Sequence, residues 1–205
     1  MTTLLVIAKE PRPGRVKTRL TPPFTPQEAA ALAEAALTDT LRAVAATPAR
    51  RRVLVLDGTP GPWLPPGFDV VPQATGDLDE RLADAFANCD GPALLIGMDT
   101  PQVTPALLPV DFEGCDAYFG PAEDGGFWAL GLATPDPGLL RGVPMSTPRT
   151  GAVQRARLVA AGLRVRELPP LRDVDTAQDA EAVAAAAPGS RFAAELRRLT
   201  PVGRR

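Results

Sequence analysis

The chain contains no histidine, and this absence narrows its possible chemistry more than any other feature of the composition. It excludes catalytic triads that need histidine, zinc sites with histidine ligands and histidine general bases. Any metal site would then use oxygen ligands, which favours Mg²⁺ or Mn²⁺.

Cysteines and long apolar runs are also scarce. The two cysteines, Cys89 and Cys115, lie far apart in the sequence and form no metal-binding or redox pair, which fits a reducing compartment. No apolar run is long enough to span a membrane. The opening apolar run is too short for a signal peptide and has no preceding positive region. We therefore expect a cytoplasmic protein without a membrane span.

The net charge is close to zero, at −2 for 205 residues. A general nucleic-acid-binding surface is excluded on this ground, and no nucleic-acid partner is expected. Any binding of anions must come from a local cluster of cations.

The order of apolar runs and helix starts alternates between strand and helix in the first half and is mixed in the second. Six consecutive apolar or small residues at 3–8 are typical of a strand buried on both faces. Thr25 and Glu28 predict a capped helix start, and so do Asp77 and Glu80. The predicted strands are 3–8, 52–57, 68–72, 92–98, 117–120, 127–132 and 164–168. Further helices are predicted to begin at Thr104, Thr147, Thr176 and Ser190.

Five cations follow the first strand within eleven residues: Lys9, Arg12, Arg15, Lys17 and Arg19. Arginine forks and lysine ammonium groups both suit phosphate oxygens. The alternative is a solvated surface loop. Open α/β sheets bind ligands beyond the carboxyl ends of their strands, so the position of the loop favours phosphate binding. The loop has neither a Walker A pattern nor a GxGxxG pattern.

Acidic residues follow later strands. Asp99 comes directly after the apolar run at 94–98, where a carboxylate can hold a divalent cation against phosphate oxygens or simply form a turn. Asp173 and Asp175 would share one face of an extended segment, although Asp175 could merely begin a helix. Asp124 precedes two glycines and either contacts an acceptor or belongs to a tight turn.

Together these motifs resemble the GT-A-type nucleotide-diphospho-sugar transferase superfamily. Within it, the chain looks like a bacterial family of provisionally assigned glycosyltransferases (transferase 1, radical-SAM/selenodomain-associated). More distantly, it is similar to molybdenum-cofactor and 2-phospholactate guanylyltransferases. The resemblance covers nearly the whole chain and is carried by the segments 9–20, 76–82, 94–108, 120–132 and 173–181.

The resemblance implies a single domain over 1–205, folded as a three-layer α/β/α sandwich with a mainly parallel, mixed sheet. It implies metal ligands at Asp99 and Asp175, with Asp173 as a further possibility for the second position. It also implies catalytic roles for Lys17, Asp99 and Asp124. The residues assigned to the nucleotide and its phosphates are Lys9, Arg12, Arg15, Lys17, Arg19, Gly76 and Asp77.

The sequence departs from the resemblance in two places. The glycine-rich phosphate loop of sugar nucleotidyltransferases is replaced by a loop rich in proline and arginine that contains only Gly14. Side chains are therefore expected to bind phosphate more than backbone amides do. Asp79 occupies a position where the family would have glycine. This difference is expected to alter the contacts to the base or the ribose.

The function that the resemblance implies is a transferase that depends on Mg²⁺ or Mn²⁺ and uses a nucleotide-activated donor. One reaction is glycosyl transfer from a nucleoside diphosphate sugar. The other is nucleotidyl transfer from a nucleoside triphosphate to a small phosphorylated acceptor. A non-catalytic nucleotide-binding protein of the same fold is the alternative. The partners would be the donor and a small-molecule acceptor, and the sequence does not define the oligomeric state.

Overall fold

A seven-stranded sheet forms the centre of the computed structural model, which describes residues 1–108 and 111–200. The strands are β1 (Thr3–Lys9), β2 (Arg51–Asp57), β3 (Asp69–Pro72), β4 (Ala93–Gly97), β5 (Ala117–Pro121), β6 (Phe127–Leu132) and β7 (Val165–Glu167). Their order is β3-β2-β1-β4-β6-β5-β7. β6 runs antiparallel to both of its neighbours, and the other pairs are parallel. The predicted mainly parallel, mixed sheet is confirmed.

Helices cover both faces of the sheet. They are α1 (Pro26–Ala46), α2 (Leu78–Ala87), α3 (Thr150–Ala160), α4 (Ala177–Ala186) and α5 (Arg191–Leu199). One apolar cluster joins α1 to the side chains that β1, β2 and β4 direct to one face. A second cluster joins α2 and α3 to the opposite face, and a third holds α4 and α5 against α1. Because consecutive residues of a strand point to opposite faces, strands buried on both sides supply both of the first two clusters.

The predicted helix starts had different outcomes. Thr25 and Thr176 each form a capping box with an acid three residues later, as the sequence pattern predicts for Thr25. The predicted capping box at Asp77 is wrong, because its side chain makes no capping hydrogen bond. The neighbouring acid of this helix, Asp79, accepts a hydrogen bond from the backbone N–H of Gly142 at 2.7 Å.

Two further starts differ in how well they were predicted. The short helix predicted from Thr104 begins there, as a three-residue 3-10 helix, Pro105–Leu107. The helix predicted from Thr147 begins three residues later, at Thr150. The hydroxyl groups of Thr147 and Thr150 form a hydrogen bond with each other just before it.

The sheet order places the ends of β1 and β4 side by side. The two strands are parallel, and Ile7 is paired with Gly97 near their carboxyl ends. The cationic loop leaves β1 at this edge, and Asp99 follows β4 at the same edge. Among the described residues, no helix combines the length and the apolar character needed to span a membrane.

Candidate functional site

Apolar side chains bring the cationic loop to the acidic segment at 173–175. Val16 is buried in the cluster beneath α1, and Leu20 is fully buried in the cluster formed with α4 and α5. Val174 is buried in that same cluster. The backbone N–H of Val174 also donates to the carbonyl oxygen of Asp99 at 3.0 Å. The packing of Leu20 and Val174 thus draws together three segments that are distant in the sequence.

Lys17 lies at the centre of the resulting ionic cluster. Its ammonium nitrogen is 2.9 Å from Oδ1 of Asp99 and 3.3 Å from Oδ1 of Asp175, and only 7% of its side chain is exposed. Arg19 reaches the other oxygen of Asp175 at 3.0 Å. Burial by itself lowers the pKa of Lys17, but the charges of Asp99 and Asp175 outweigh it and raise the pKa above its ordinary value. Lys17 is therefore a permanent cation.

The backbone of Lys17 adopts an unusual conformation. Its φ of 49° and ψ of 38° lie in the left-handed region, which costs a residue with a side chain roughly 1–2 kcal/mol. The flanking residues Val16 and Leu20 are both buried, so the surrounding packing holds this conformation. The chain turns at Lys17 and directs the ammonium group inward, to the two carboxylates.

Asp173 adds a buried carboxyl group to the same region. Burial raises its pKa, and the negative charges of Asp99 and Asp124 raise it further, to about 7. Its Oδ1 atom is buried and has no hydrogen-bond partner among the described residues. Three carboxyl groups, from Asp99, Asp173 and Asp175, therefore lie near Lys17, and Arg19 is the second cation of the cluster, so acids outnumber bases there by one.

A small cationic pocket lies on one side of the Asp99–Asp175 pair. Its cavity volume is about 260 Å³, and the cations that line it are Lys9, Arg15, Lys17 and Arg19. Arg12 does not line it. Its guanidinium group pairs with Glu10 at 2.7 Å on the surface. Four of the five cations predicted to bind phosphate are thus brought together, and one is not.

A larger cleft lies on the other side and shares Lys9, Asp99 and Asp175 with the cationic pocket. Its cavity volume is about 390 Å³. Asp124 lines this cleft and accepts a hydrogen bond from the backbone N–H of Gly126 at 2.8 Å. The predicted tight turn at Asp124 is therefore present. The predicted contact with an acceptor remains a prediction.

Close packing fixes the turn that carries Asp124. Gly125 has a φ of 91°, and a Cβ atom there would lie 2.1 Å from the carbonyl oxygen of Pro148. A Cβ atom at Gly151 would lie 2.4 Å from the carbonyl oxygen of Gly126. Only glycines allow this turn to rest on the start of α3, and α3 in turn holds Asp124 at the cleft.

At the α2 end of the cleft, the structure places residues other than the predicted ones. Gly76 and Asp77, predicted to bind the nucleotide, line neither pocket. Gln73 and Arg81 line the cleft instead. Gln73 follows β3 at the ligand edge, so the position of the strand end could have identified it. Arg81 lies inside a helix, where the sequence carries no comparable signal.

The carboxylates fit a divalent cation that is bound together with phosphate. Among residues 1–108 and 111–200, no three acidic, histidine or cysteine side chains form a metal site on their own. Mg²⁺ is commonly bound by one or two carboxylates together with the phosphates of a substrate. Asp99 and Asp175 present two carboxylates that could serve in this way. The excess negative charge around Asp173 favours an additional cation.

Solved structures with a similar fold include one that matches over nearly the whole chain. This protein, from Desulfovibrio desulfuricans G20, is provisionally described as a nucleotide-diphospho-sugar transferase. It has 27% identity and a TM-score of 0.86, with 97% of this chain and 95% of that one covered.

Two more distant structures show the fold alone. One is CMP:2-keto-3-deoxy-manno-octonic acid synthetase complexed with CTP, at 12% identity and a TM-score of 0.57, with 92% of this chain and 99% of that one covered. The other is a manganese complex of a Mycobacterium tuberculosis H37Rv protein, at 22% identity and a TM-score of 0.52. It covers 89% of this chain and 96% of that one.

The fold is thus that of the nucleotide-diphospho-sugar transferases and related nucleotidyltransferases. No curated protein matches the sequence. A family model matches residues 29–147, which is more than half of the 205 residues. The chain belongs to the family described as an uncharacterized protein conserved in bacteria, DUF2064.

Proposed function

We propose that the protein is a transferase that depends on a divalent metal ion and uses a nucleotide-activated donor. One observation carries the proposal. Lys17 is held between Asp99 and Asp175 at the carboxyl ends of β1 and β4, with a cationic pocket on one side and the larger cleft on the other. This arrangement suits a phosphate chain that enters from the cleft and ends in the cationic pocket.

The cationic pocket would hold the phosphate group that leaves. Arg15 and Arg19 present guanidinium groups, and Lys9 and Lys17 present ammonium groups. Lys17 is fixed by its two ion pairs before the reaction, and the four cations would face the position where negative charge increases as the bond breaks. Preorganised charges of this kind stabilise the transition state without reorganisation of the site.

Asp99 and Asp175 would hold Mg²⁺ or Mn²⁺. When bound, the ion would neutralise charge on the phosphate oxygens and act as a Lewis acid. Lys17 would then exchange one carboxylate contact for a phosphate contact. Asp124, on its fixed turn, would contact the acceptor in the cleft.

Two reactions fit this site. In nucleotidyl transfer, an acceptor oxygen attacks the α-phosphorus of a nucleoside triphosphate, and pyrophosphate leaves into the cationic pocket. The separate cationic pocket favours this reaction, because a triphosphate brings more charge than a diphosphate.

In glycosyl transfer, an acceptor oxygen attacks the anomeric carbon of a nucleoside diphosphate sugar, and the diphosphate leaves. Two observations favour this reaction. Four acidic side chains line the cleft, Asp99, Asp124, Asp173 and Asp175, and they can bind sugar hydroxyl groups. The similar Desulfovibrio protein is described as a transferase of nucleotide-diphospho-sugars.

A cytoplasmic location is part of the proposal. Both cysteines are unpaired, which suits a reducing compartment, and the cytoplasm supplies nucleotides. The non-catalytic alternative, a protein that binds nucleotides without turnover, predicts the same ligand binding. Only product formation separates it from the transferase.

The test begins with thermal unfolding in the presence of nucleoside triphosphates and nucleoside diphosphate sugars, each with and without Mn²⁺. A ligand that binds only the folded state raises the unfolding midpoint. The donor that stabilises the protein is then incubated with candidate acceptors, and release of pyrophosphate or nucleoside diphosphate is measured. We expect stabilisation that requires Mn²⁺, followed by release of one of these products. Stabilisation by no nucleotide would contradict the proposal, and binding without turnover would support the non-catalytic alternative.

A further inference from the structure

Arg81 is a cation of the cleft that has no acidic partner. It lies on α2, is half-buried and lines the cleft. Its Nε atom is buried and makes no hydrogen bond to any described residue. Arg81 also forms no ion pair among residues 1–108 and 111–200, whose ion pairs involve other arginines. A buried donor without a partner is costly, so the side chain is not held by protein acceptors alone. Its Nη2 atom is not among the buried unpartnered atoms and makes no hydrogen bond to a described residue, so it remains open to an acceptor that a ligand brings.

Gln73 fixes the orientation of Arg81. The side-chain amide nitrogen of Gln73 donates to the carbonyl oxygens of Ala8 and Val55, at 2.6 and 3.2 Å. Because both of these partners can only accept, the amide oxygen of Gln73 must face the other way. It accepts a hydrogen bond from Nη1 of Arg81 at 3.0 Å. Main-chain atoms of β1 and β2 thereby hold the guanidinium group in place.

The nearby acids are used elsewhere. Asp79 accepts from the backbone of Gly142, and Glu80 pairs with Arg141 at 3.0 Å. Both acids belong to α2, yet neither turns towards Arg81. The amide oxygen of Gln73 already accepts a hydrogen bond from Arg81. The guanidinium group of Arg81 therefore makes the α2 end of the cleft rich in hydrogen-bond donors.

The walls around Arg81 are apolar. Leu78, Leu82, Ile7 and Leu95 line the same cleft. Phosphates have their own cationic pocket on the other side of Asp99, so this apolar end suits a flat ring with oxygen acceptors on its edge.

We propose that Arg81, positioned by Gln73, selects a nucleobase that carries a carbonyl oxygen beside an acceptor ring nitrogen, as in guanine or cytosine, over adenine and uracil. This inference rests on the proposed function and names the class of donor that the site accepts. Arginine forms paired hydrogen bonds with a base carbonyl and a neighbouring acceptor. Adenine offers an amino group at the corresponding position, and that group would meet another donor.

The test measures calorimetric affinities of UDP, GDP, CDP and ADP with Mn²⁺, together with those of inorganic pyrophosphate. We expect the wild-type protein to bind GDP or CDP about 10-fold or more tightly than ADP and UDP, within the discrimination of a paired arginine contact. In Arg81→Met, that affinity should fall to the level of ADP, whereas pyrophosphate affinity should not change. Arg81→Lys keeps the charge but loses the planar fork, so it should lose the preference as well.

Arg141→Met is the matched control, because it removes an arginine that contacts α2 outside the cleft. It should retain the preference. If nucleotides bind with Mn²⁺ but ADP binds as tightly as the others, the base inference is wrong and the proposed function stands. An equal loss of pyrophosphate and nucleotide affinity in Arg81→Met would place Arg81 in the phosphate site and overturn the inference. If no nucleotide binds, both proposals fail. If Arg81→Met does not fold, the wild-type base profile and Arg81→Lys decide.

Discussion

The two edges of the sheet carry charged side chains in different arrangements. At the amino-terminal edge, Arg51 at the start of β2 pairs with Asp69 at the start of β3, at 2.5 Å. Asp116 before β5 pairs with Arg164 before β7, through contacts of 2.8 and 3.0 Å. Each acid there has one base. At the carboxyl edge, three acids surround Lys17 and one of them has an unpartnered oxygen.

The pKa values show the consequence of this difference. Side-chain and backbone hydrogen bonds from Arg164 lower the pKa of Asp116 to about 2. Burial and neighbouring acids raise the pKa of Asp173 to about 7. At the amino edge each of these acids is neutralised by one arginine, so little charge remains to attract a ligand. At the carboxyl edge acids outnumber bases and the pKa of Asp173 is strongly raised, which is typical of a functional site.

Removal of Asp99 should have the largest effect. Asp99→Ala removes a proposed metal ligand, and we expect nucleotide affinity in the presence of Mn²⁺ to fall at least about 100-fold. The fold should persist because Asp99 is 36% exposed. Asp116→Asn, which removes an acid from the opposite edge, is the control. Calorimetry measures both variants, and undiminished binding by Asp99→Ala would refute the metal role.

Lys17→Met should act on both binding and stability. It should weaken triphosphate binding more than nucleoside binding, and equal losses would contradict the phosphate assignment. Without the ammonium group, the acids repel one another. We expect a loss of about 1–3 kcal/mol in the free energy of unfolding, less than the ~3–5 kcal/mol of a fully buried pair, because Asp99 and Asp175 are about one-third exposed.

Urea denaturation in the presence of a chelator measures the stability change in Lys17→Met. Arg164→Met is the matched variant at the amino edge. It leaves Asp116 free to be solvated and should change stability much less. If Arg164→Met lost as much free energy of unfolding as Lys17→Met, the charged pairs at the two edges would not differ in their contribution to stability.

Asp173→Asn should stabilise the metal-free protein in a manner that depends on pH. The unfolded carboxyl group titrates near 3.8 and the folded one near 7. Between these values the folded state binds more protons, so the wild-type free energy of unfolding falls as pH rises. The melting temperature of the variant should match that of the wild type near pH 4 and exceed it by several degrees at pH 8. A difference that does not vary with pH would contradict this account.

Asp116→Asn should have the smallest effect. The pKa of Asp116 is lowered, so the stability that its charge contributes is present above about pH 4 and disappears as pH falls towards 2. The pair is exposed, so salt screens it. Melting curves at low and high salt should show a slight difference near pH 7 at low salt that disappears at high salt. A large difference in melting temperature that persists at high salt would contradict the view that the Asp116–Arg164 pair is an exposed pair of little importance for stability.

Much of the fold was predictable because buried parallel strands have continuous apolar runs. All seven strands were predicted within about one residue of their observed ends. The capping box at Thr25 was predicted because it is a local pattern with a local partner. Asp77 and Glu80 fit a similar pattern, but Asp77 makes no capping hydrogen bond and Glu80 pairs with Arg141.

Residues of the candidate site were predictable where they follow a strand or belong to a recognisable charged motif. The sequence motifs pointed to Lys17, Asp99 and Asp175, and the structure places Lys17 within ion-pair distance of both acids. Arg12 belongs to the same cationic loop but turns to Glu10. No local pattern marks Arg81, because its orientation depends on Gln73, and that of Gln73 depends on the carbonyl groups of β1 and β2.

By itself, the sequence determined that strands alternate with helices, that a cationic loop follows the first strand and that any metal must be held by oxygen. These are properties of local patterns and composition. Only the tertiary structure decided which charges meet. The burial of Leu20 and Val174 in one apolar cluster brings Lys17 to Asp175 across more than 150 residues of chain. Apolar packing thus supplies the force that assembles the charged site, because charges alone gain too little in water to do so.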